Sequence, residues 1–162
     1  MGRFKLTFLG LVEFGYNIYI ESYQKLKNSR FIMSSEKIVT RAAVLWVDQE
    51  GIIHSLVNPG AEVKIDDMKE IIDAGYALVG QKKAPVLVDM REIRSSDRES
   101  REYTAGPEGE KVTTALAFLI KSKVGELIGN FFINFNNPRF PTKIFTAEDE
   151  ALDWLRGYLN ER

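Results

Sequence analysis

The chain has no cysteine and only one histidine, His54. The first absence removes disulfides, thiolate metal sites and cysteine nucleophiles, and it fits a reducing, cytoplasmic setting. Together the two leave the common zinc sites and the Ser-His and Cys-His nucleophile systems without their parts, so only Asp/Glu-based metal sites stay open. Neither G-x-G-x-x-G nor a P-loop signature occurs, which leaves dinucleotide and P-loop nucleotide binding without support. Net charge is also small, at -1. With no long block of like charge, there is no basic field to draw nucleic acid. Long apolar runs are missing too. Residues 4–23 are apolar and aromatic-rich, but Glu13 interrupts them too early for a membrane span, and no small-residue cleavage site follows. The opening MGRFKL lacks the hydroxyl residue at position six that favours myristoylation.

What is present suits one soluble α/β domain: 162 residues, 44% of them apolar and 28% charged, enough for a single core. Residues 1–32 differ in character from the rest. They read as an N-terminal extension, or as a start assigned too early with Met33 opening the domain; a docked helix or extra strand is the rival reading. Residues 33–162 read as the domain itself. Ile38 to Val47 alternate with the period of a strand, Asp48 to Gly51 supply a turn, and Ile52 to Val57 supply the return strand of a hairpin. Asn58, Pro59 and Gly60 end it. Asp66 or Asp67 then caps a helix carrying Met68, Ile71, Ile72 and Val79 on one face, with Gly80 at its end.

The most informative stretch is Ala84 to Gly106, APVLVDMREIRSSDRESREYTAG. Val86, Leu87, Val88 and Met90 surround Asp89, as in a strand covered on both faces, and loops beyond the carboxyl ends of such strands usually hold the functional groups. Ser96 and Glu99 have the spacing of a capping box, so a second helix is expected from near Ser96. Gly106, Pro107 and Gly109 break it before a strand over Val112 to Ile120. Ser122 caps a third helix with Val124, Leu127, Ile128, Phe131, Phe132 and Phe135 at helical spacing. Asn137 and Pro138 stop that helix, Thr142 to Phe145 forms a short strand, and Thr146 with Asp149 opens the last helix. The expectation is a mixed five-stranded sheet with an N-terminal hairpin and helical crossovers.

This order, with LWVDQEGII early, PVLVDMREI and SREYTAG in the middle and GNFFINFNNPRFPTKIFTAEDEALDWL at the end, resembles the STAS superfamily. It is most similar to the uncharacterised SpoIIAA-like group described as STAS/CRAL-TRIO-like. The resemblance covers about residues 36–160 and implies a non-enzymatic regulatory or protein-interaction domain with an unknown protein partner. Superfamily members that act as anti-sigma-factor antagonists carry an Asp-Ser-Ser-Gly-like motif, one serine of which a kinase phosphorylates. With Asp89 matched to the residue ending the strand, Asp97 falls on the acidic position, and Arg98 and Glu99 occupy the two serine positions. Ser95 and Ser96 lie just before it, so the usual phosphoserine switch is not expected.

No catalytic residue, metal ligand or cofactor is assigned. Asp89, at the carboxyl end of its strand, is a candidate to bind a cation, accept a proton or join a partner-binding surface, and in the structural reading it accepts loop amides or pairs with Arg91 or Arg94. Arg91, Arg94, Arg98 and Arg101, with Ser95, Ser96 and Asp97 among them, are the candidates for partner or anion binding near a helix start, and Ser122 can join them. His54 is equally a half-buried polar residue or a base. Phe131, Phe132 and Phe135, with Phe140 nearby, are core aromatics whose second face is a candidate for a homodimer contact or a small apolar ligand. An apolar-ligand or lipid-binding module is the alternative function.

Overall fold

A computed structural model describes residues 36–122 and 138–159. The alternation predicts one strand from Ile38 to Val47, but two form: β1 (Ile38–Val39) and β2 (Ala43–Val47). The Thr40 hydroxyl causes the break. It accepts the Ala43 amide at 3.0 Å and donates to the Ala43 carbonyl at 2.9 Å, a local side-chain turn that competes with the ladder. β1 therefore folds back antiparallel, with Ile38 opposite Leu45 and Val39 opposite Val44.

β2 and β3 (Ile53–Val57) form the expected antiparallel hairpin. The Asp48 carboxylate holds its loop by accepting the Glu50 and Ile52 amides at 2.9 and 3.0 Å. Gly51 makes the reversal at φ 92°, a region open to glycine and costly for most residues. After β4 (Glu62–Val63), α1 (Ile65–Leu78) begins two or three residues earlier than the sequence suggests. Lys64 is its cap residue, and Asp67 accepts the Lys64 amide at 2.9 Å.

β5 (Ala84–Asp89) runs parallel to β3. The loop beyond it contains β6 (Ser95–Ser96), paired parallel with β4 in a separate two-stranded sheet. α2 (Arg98–Ala105) then ends at Gly106, as expected. Pro107 does not lead directly into a strand, however. It opens a further helix, α3 (Pro107–Val112), because a missing N–H and a fixed φ suit the first helical position. β7 (Thr113–Leu119), β8 (Thr142–Phe145) and α4 (Glu148–Arg156) complete the described elements. Ala147, not Thr146, precedes α4, with no side-chain cap. The helix expected from Ser122 onward lies outside the described residues.

The main sheet has the order β1-β2-β3-β5-β7-β8, antiparallel through β3 and parallel from β3 to β8. The fold is thus the mixed α/β sheet with an N-terminal hairpin that the sequence predicts, with six strands in place of five because Thr40 splits the first. Pro85 is fully buried within β5 and has no N–H to give the ladder. Opposite it the pairing slips, from Ala84 against Thr113 to Val86 against Leu116. The extra length lies in β7, where the buried Thr114 hydroxyl has no hydrogen-bond partner.

Side chains divide by strand period. Leu45, Ile53, Val86 and Leu116 share one face with Ala74 of α1 and Val112 of α3. Leu87, Ala117, Leu119 and Phe145 pack on the other against Ala151 and Leu155 of α4. One contact fixes how α2 meets α3. A Cβ placed on Gly109 would lie 1.8 Å from the Thr104 carbonyl oxygen. Gly109→Ala must therefore push the two helices apart, and it should lower the stability measured by urea unfolding by about 1–3 kcal/mol.

Candidate functional site

The loop after β5 places the charged candidates individually. Asp89 is 6% exposed and accepts Arg91 Nε at 2.9 Å, Arg91 Nη2 at 2.6 Å and the Arg91 amide at 3.2 Å. A two-pronged guanidinium pair of this kind fixes the carboxylate and shapes the turn. Arg94 pairs with Glu62 at 3.3 Å across the small sheet, and Arg98 with Glu102 at 2.6 Å along α2. Ser95 is exposed in β6.

The start of α2 differs from the capping box expected at Ser96. Asp97 is the cap residue, and its carboxylate accepts the Ser100 amide at 2.8 Å. That bond first, and the nearby Ser100 side chain after it, hold the Asp97 carboxyl below the usual range. Ser96 is held in β6 instead, with its Oγ 2.9 Å from Ser100 Oγ. The sequence reading missed the frame by one residue because Ser and Asp cap equally well. Asp97→Ala should lower the melting temperature by more than Ser96→Ala does, and Asp97→Asn should retain most of it.

His54 is 5% exposed, stacked on Trp46 with ring centroids 5.0 Å apart, and its Nε2 lies 2.9 Å from Asp48 Oδ2. Burial alone pushes the Asp48 carboxyl up, but the hydrogen bonds from His54 and from the Ile52 and Glu50 amides outweigh it and hold it below the usual range. An ionised Asp48 accepts only, so His54 Nε2 carries the proton in this bond. The group tethers the hairpin rather than facing a cleft. A second tether joins Arg41 to Asp67 through two guanidinium hydrogen bonds. The Arg41 bond chiefly, and the Lys64 amide with it, lower the Asp67 carboxyl against the opposing effect of burial. A carboxyl lowered in the folded state stabilises above its unfolded value, near 3.9, and loses that contribution as pH falls through the folded value. The unfolding free energy of Asp67→Asn should thus lie below wild type at pH 7 and converge with it in acid, as read by urea titrations across pH.

The candidate site lies on the sheet face beneath α1, α2 and α3, as an apolar cavity of about 510 Å³. Five strands contribute to its floor, among them Leu45, Ser55, Val86, Phe118 and Ile144. Ile71 and Gly75 of α1, Thr104 of α2 and Val112 of α3 contribute to its walls. Of the sequence candidates, Ser96 and Arg101 reach it, and so does Phe140, which is buried. Asp89, Arg91, Arg94, Ser95, Asp97 and Arg98 are not among its described lining. Phe131, Phe132 and Phe135 lie outside the described residues. Two residues hint at the cavity in the sequence. Ser55 is a small residue in a buried strand, and Gly75 is a glycine inside a helix, where it costs about 1 kcal/mol relative to alanine. Among the described residues no group of three or more His, Cys, Asp or Glu side chains could hold a metal. No helix among them is long and apolar enough to cross a membrane.

Residues 45–159 match the family described as Domain of unknown function (DUF7793), and the chain belongs to it. Among solved structures, it is similar to an uncharacterized protein of the DUF3478 family with a SpoIIAA-like fold from Shewanella loihica PV-4. The two are 18% identical, with 77% of this chain and 99% of that one covered at a TM-score of 0.52. A protein of unknown function from Arthrobacter sp. FB24 is 29% identical over 68% of this chain and 96% of that chain, with a TM-score of 0.28. No curated protein matches. The fold is therefore SpoIIAA-like.

Proposed function

Starting from membership of a family without a known function, we propose that this domain binds a small, largely apolar molecule between its sheet and helices α1 to α3. The cavity of about 510 Å³ carries the reading. Ligand sites typically enclose roughly 300–1,000 Å³ and combine apolar walls with a few polar groups, and this one has that composition. Energetics point the same way, because an occupant that removes the apolar walls from water gains about 25 cal/mol for each Å² covered.

The resemblance to STAS domains supports a second reading, a regulatory surface along Asp89 to Arg101 for a protein partner. Its support is weaker, because Asp89 with Arg91, Arg94 with Glu62 and Arg98 with Glu102 already satisfy one another. We place the domain in the cytoplasm on the strength of its cysteine-free sequence.

Calorimetric titration with straight-chain alcohols from hexanol to dodecanol tests the ligand reading. Affinity should rise about fourfold for each added methylene, the equivalent of about 0.8 kcal/mol. Gly75→Leu should abolish the rise by filling the space. Gly75→Ala should fold normally, since its Cβ would meet Val112, Leu45 and Ile53 at ordinary contact distances of 3.6–3.9 Å. No binding across the series, with no retained molecule in native mass spectra of protein from its own host, would mean that the chain itself fills the space.

A further inference from the structure

We infer that the ligand is an amphipathic carboxylic acid whose head group is read by Arg101 at one end of the cavity; this rests on the ligand reading above. Arg101 is the only charged residue in the cavity's described lining. It also differs from the other described arginines. Arg41, Arg91, Arg94, Arg98, Arg139 and Arg156 each form a salt bridge with a carboxylate, to Asp67, Asp89, Glu62, Glu102, Glu110 and Glu50 respectively. Among the described residues no carboxylate lies within salt-bridge distance of Arg101. Of the acids near it in sequence, Glu102 pairs with Arg98, and Asp97 accepts the Ser100 amide and feels Arg101 only as its weakest electrostatic neighbour.

The guanidinium is anchored by a main-chain carbonyl and not by a carboxylate fork. Its Nη1 donates to the Ser96 carbonyl oxygen, which anchors the side chain to β6. A guanidinium has five N–H donors in a planar fork, so those that remain can take both oxygens of one carboxylate. A single fork fits a singly charged, planar head better than a phosphate, whose charge calls for more than one cation.

Polarity along the cavity agrees. Ser55 is 3% exposed and lines the floor, and its hydroxyl makes no hydrogen bond to another described residue. Ser55 stands opposite Val88, in the half of β5 that leads into the Ser96 loop, so it shares the Arg101 end. The other hydroxyls at α2 and β8 are occupied. Thr104 donates to the Ser100 carbonyl at 2.9 Å and Thr142 to the Phe140 carbonyl at 3.1 Å. Away from Arg101 the walls include Gly75, Val112 and Ile53, which offer no side-chain polar atom, and Thr113, which brings a hydroxyl but no charge. An anionic head with an apolar tail matches this gradient, and a uniformly apolar guest does not.

The test compares dodecanoate, dodecan-1-ol and methyl dodecanoate by calorimetry on the full chain. Wild type should bind the acid roughly ten- to hundredfold more tightly than the alcohol or ester, the range for a hydrogen bond to a charged group. Arg101→Gln should remove that preference while changing alcohol affinity by less than about twofold, and Arg101→Lys should restore part of it. Melting curves confirm that the variants fold. Ser55→Ala should weaken the acid by a smaller factor. Equal affinity of wild type for all three would overturn the carboxylate inference and leave the cavity reading standing. An Arg101→Gln effect that is the same for acid and alcohol would overturn it as well. Failure of all three to bind would overturn both.

Discussion

Strand β5 has hydrogen-bonded neighbours on both edges and packed side chains on both faces, so its main-chain polar groups must be satisfied within the protein. An unpaired buried amide or carbonyl costs about 1–3 kcal/mol. Pairing with β3 and β7 meets that demand and thereby sets the parallel half of the sheet. The one position without a donor, Pro85, is where the register against β7 slips, and the Thr114 hydroxyl beside the slip is left without a partner. Asp89 completes the strand by drawing the next turn onto itself through Arg91. The direction of the following loop, and the place where α2 begins, follow from that closure.

The two faces of the sheet use their apolar side chains differently. On the α4 side, Leu87, Leu119 and Phe145 meet Ala151 and Leu155, and small residues in β7 allow close approach. On the other side three helices share one surface. α1 lies over β2, and α3 leads into β7, with α2 joined tightly to α3 through Gly109. Short helices turned against one another do not cover the sheet as a single long one does, and the cavity lies beneath them. Its polar fringe arises because β6, the strap after β5, brings Ser96 and Arg101 to the same end as Ser55.

This division separates structural charge from available charge. Asp48 with His54, Arg41 with Asp67, and Asp89 with Arg91 are each saturated within the fold, and each ties a loop to a strand or helix. Such pairs stabilise geometry but present little to a partner, since a carboxylate already holding a guanidinium fork has few acceptor sites left. Arg101 stands outside that set among the described residues. Its guanidinium donates to the Ser96 carbonyl oxygen, which leaves further donors of the fork over.

The sequence alone determined the α/β class, the hairpin and the alternation of the longer strands with α1, α2 and α4, but not the short β4, β6 and α3, because alternation and turn residues are local signals that act within a few positions. It also indicated that Asp89 would be tied down by a neighbouring arginine, since both lie in one turn. Where two local signals competed, tertiary structure decided. Thr40 broke a strand that alternation alone would have continued, Pro107 opened a helix rather than ending one, and Asp97 displaced Ser96 as the cap because β6 claimed Ser96 for pairing. The cavity was illegible from the sequence. Its lining comes from seven strands and three helices, and such a space depends on how far apart those elements settle rather than on any spacing along the chain. Gly75 and Ser55 were its local traces, and only folding put them on the walls of one space, with Arg101 at one end.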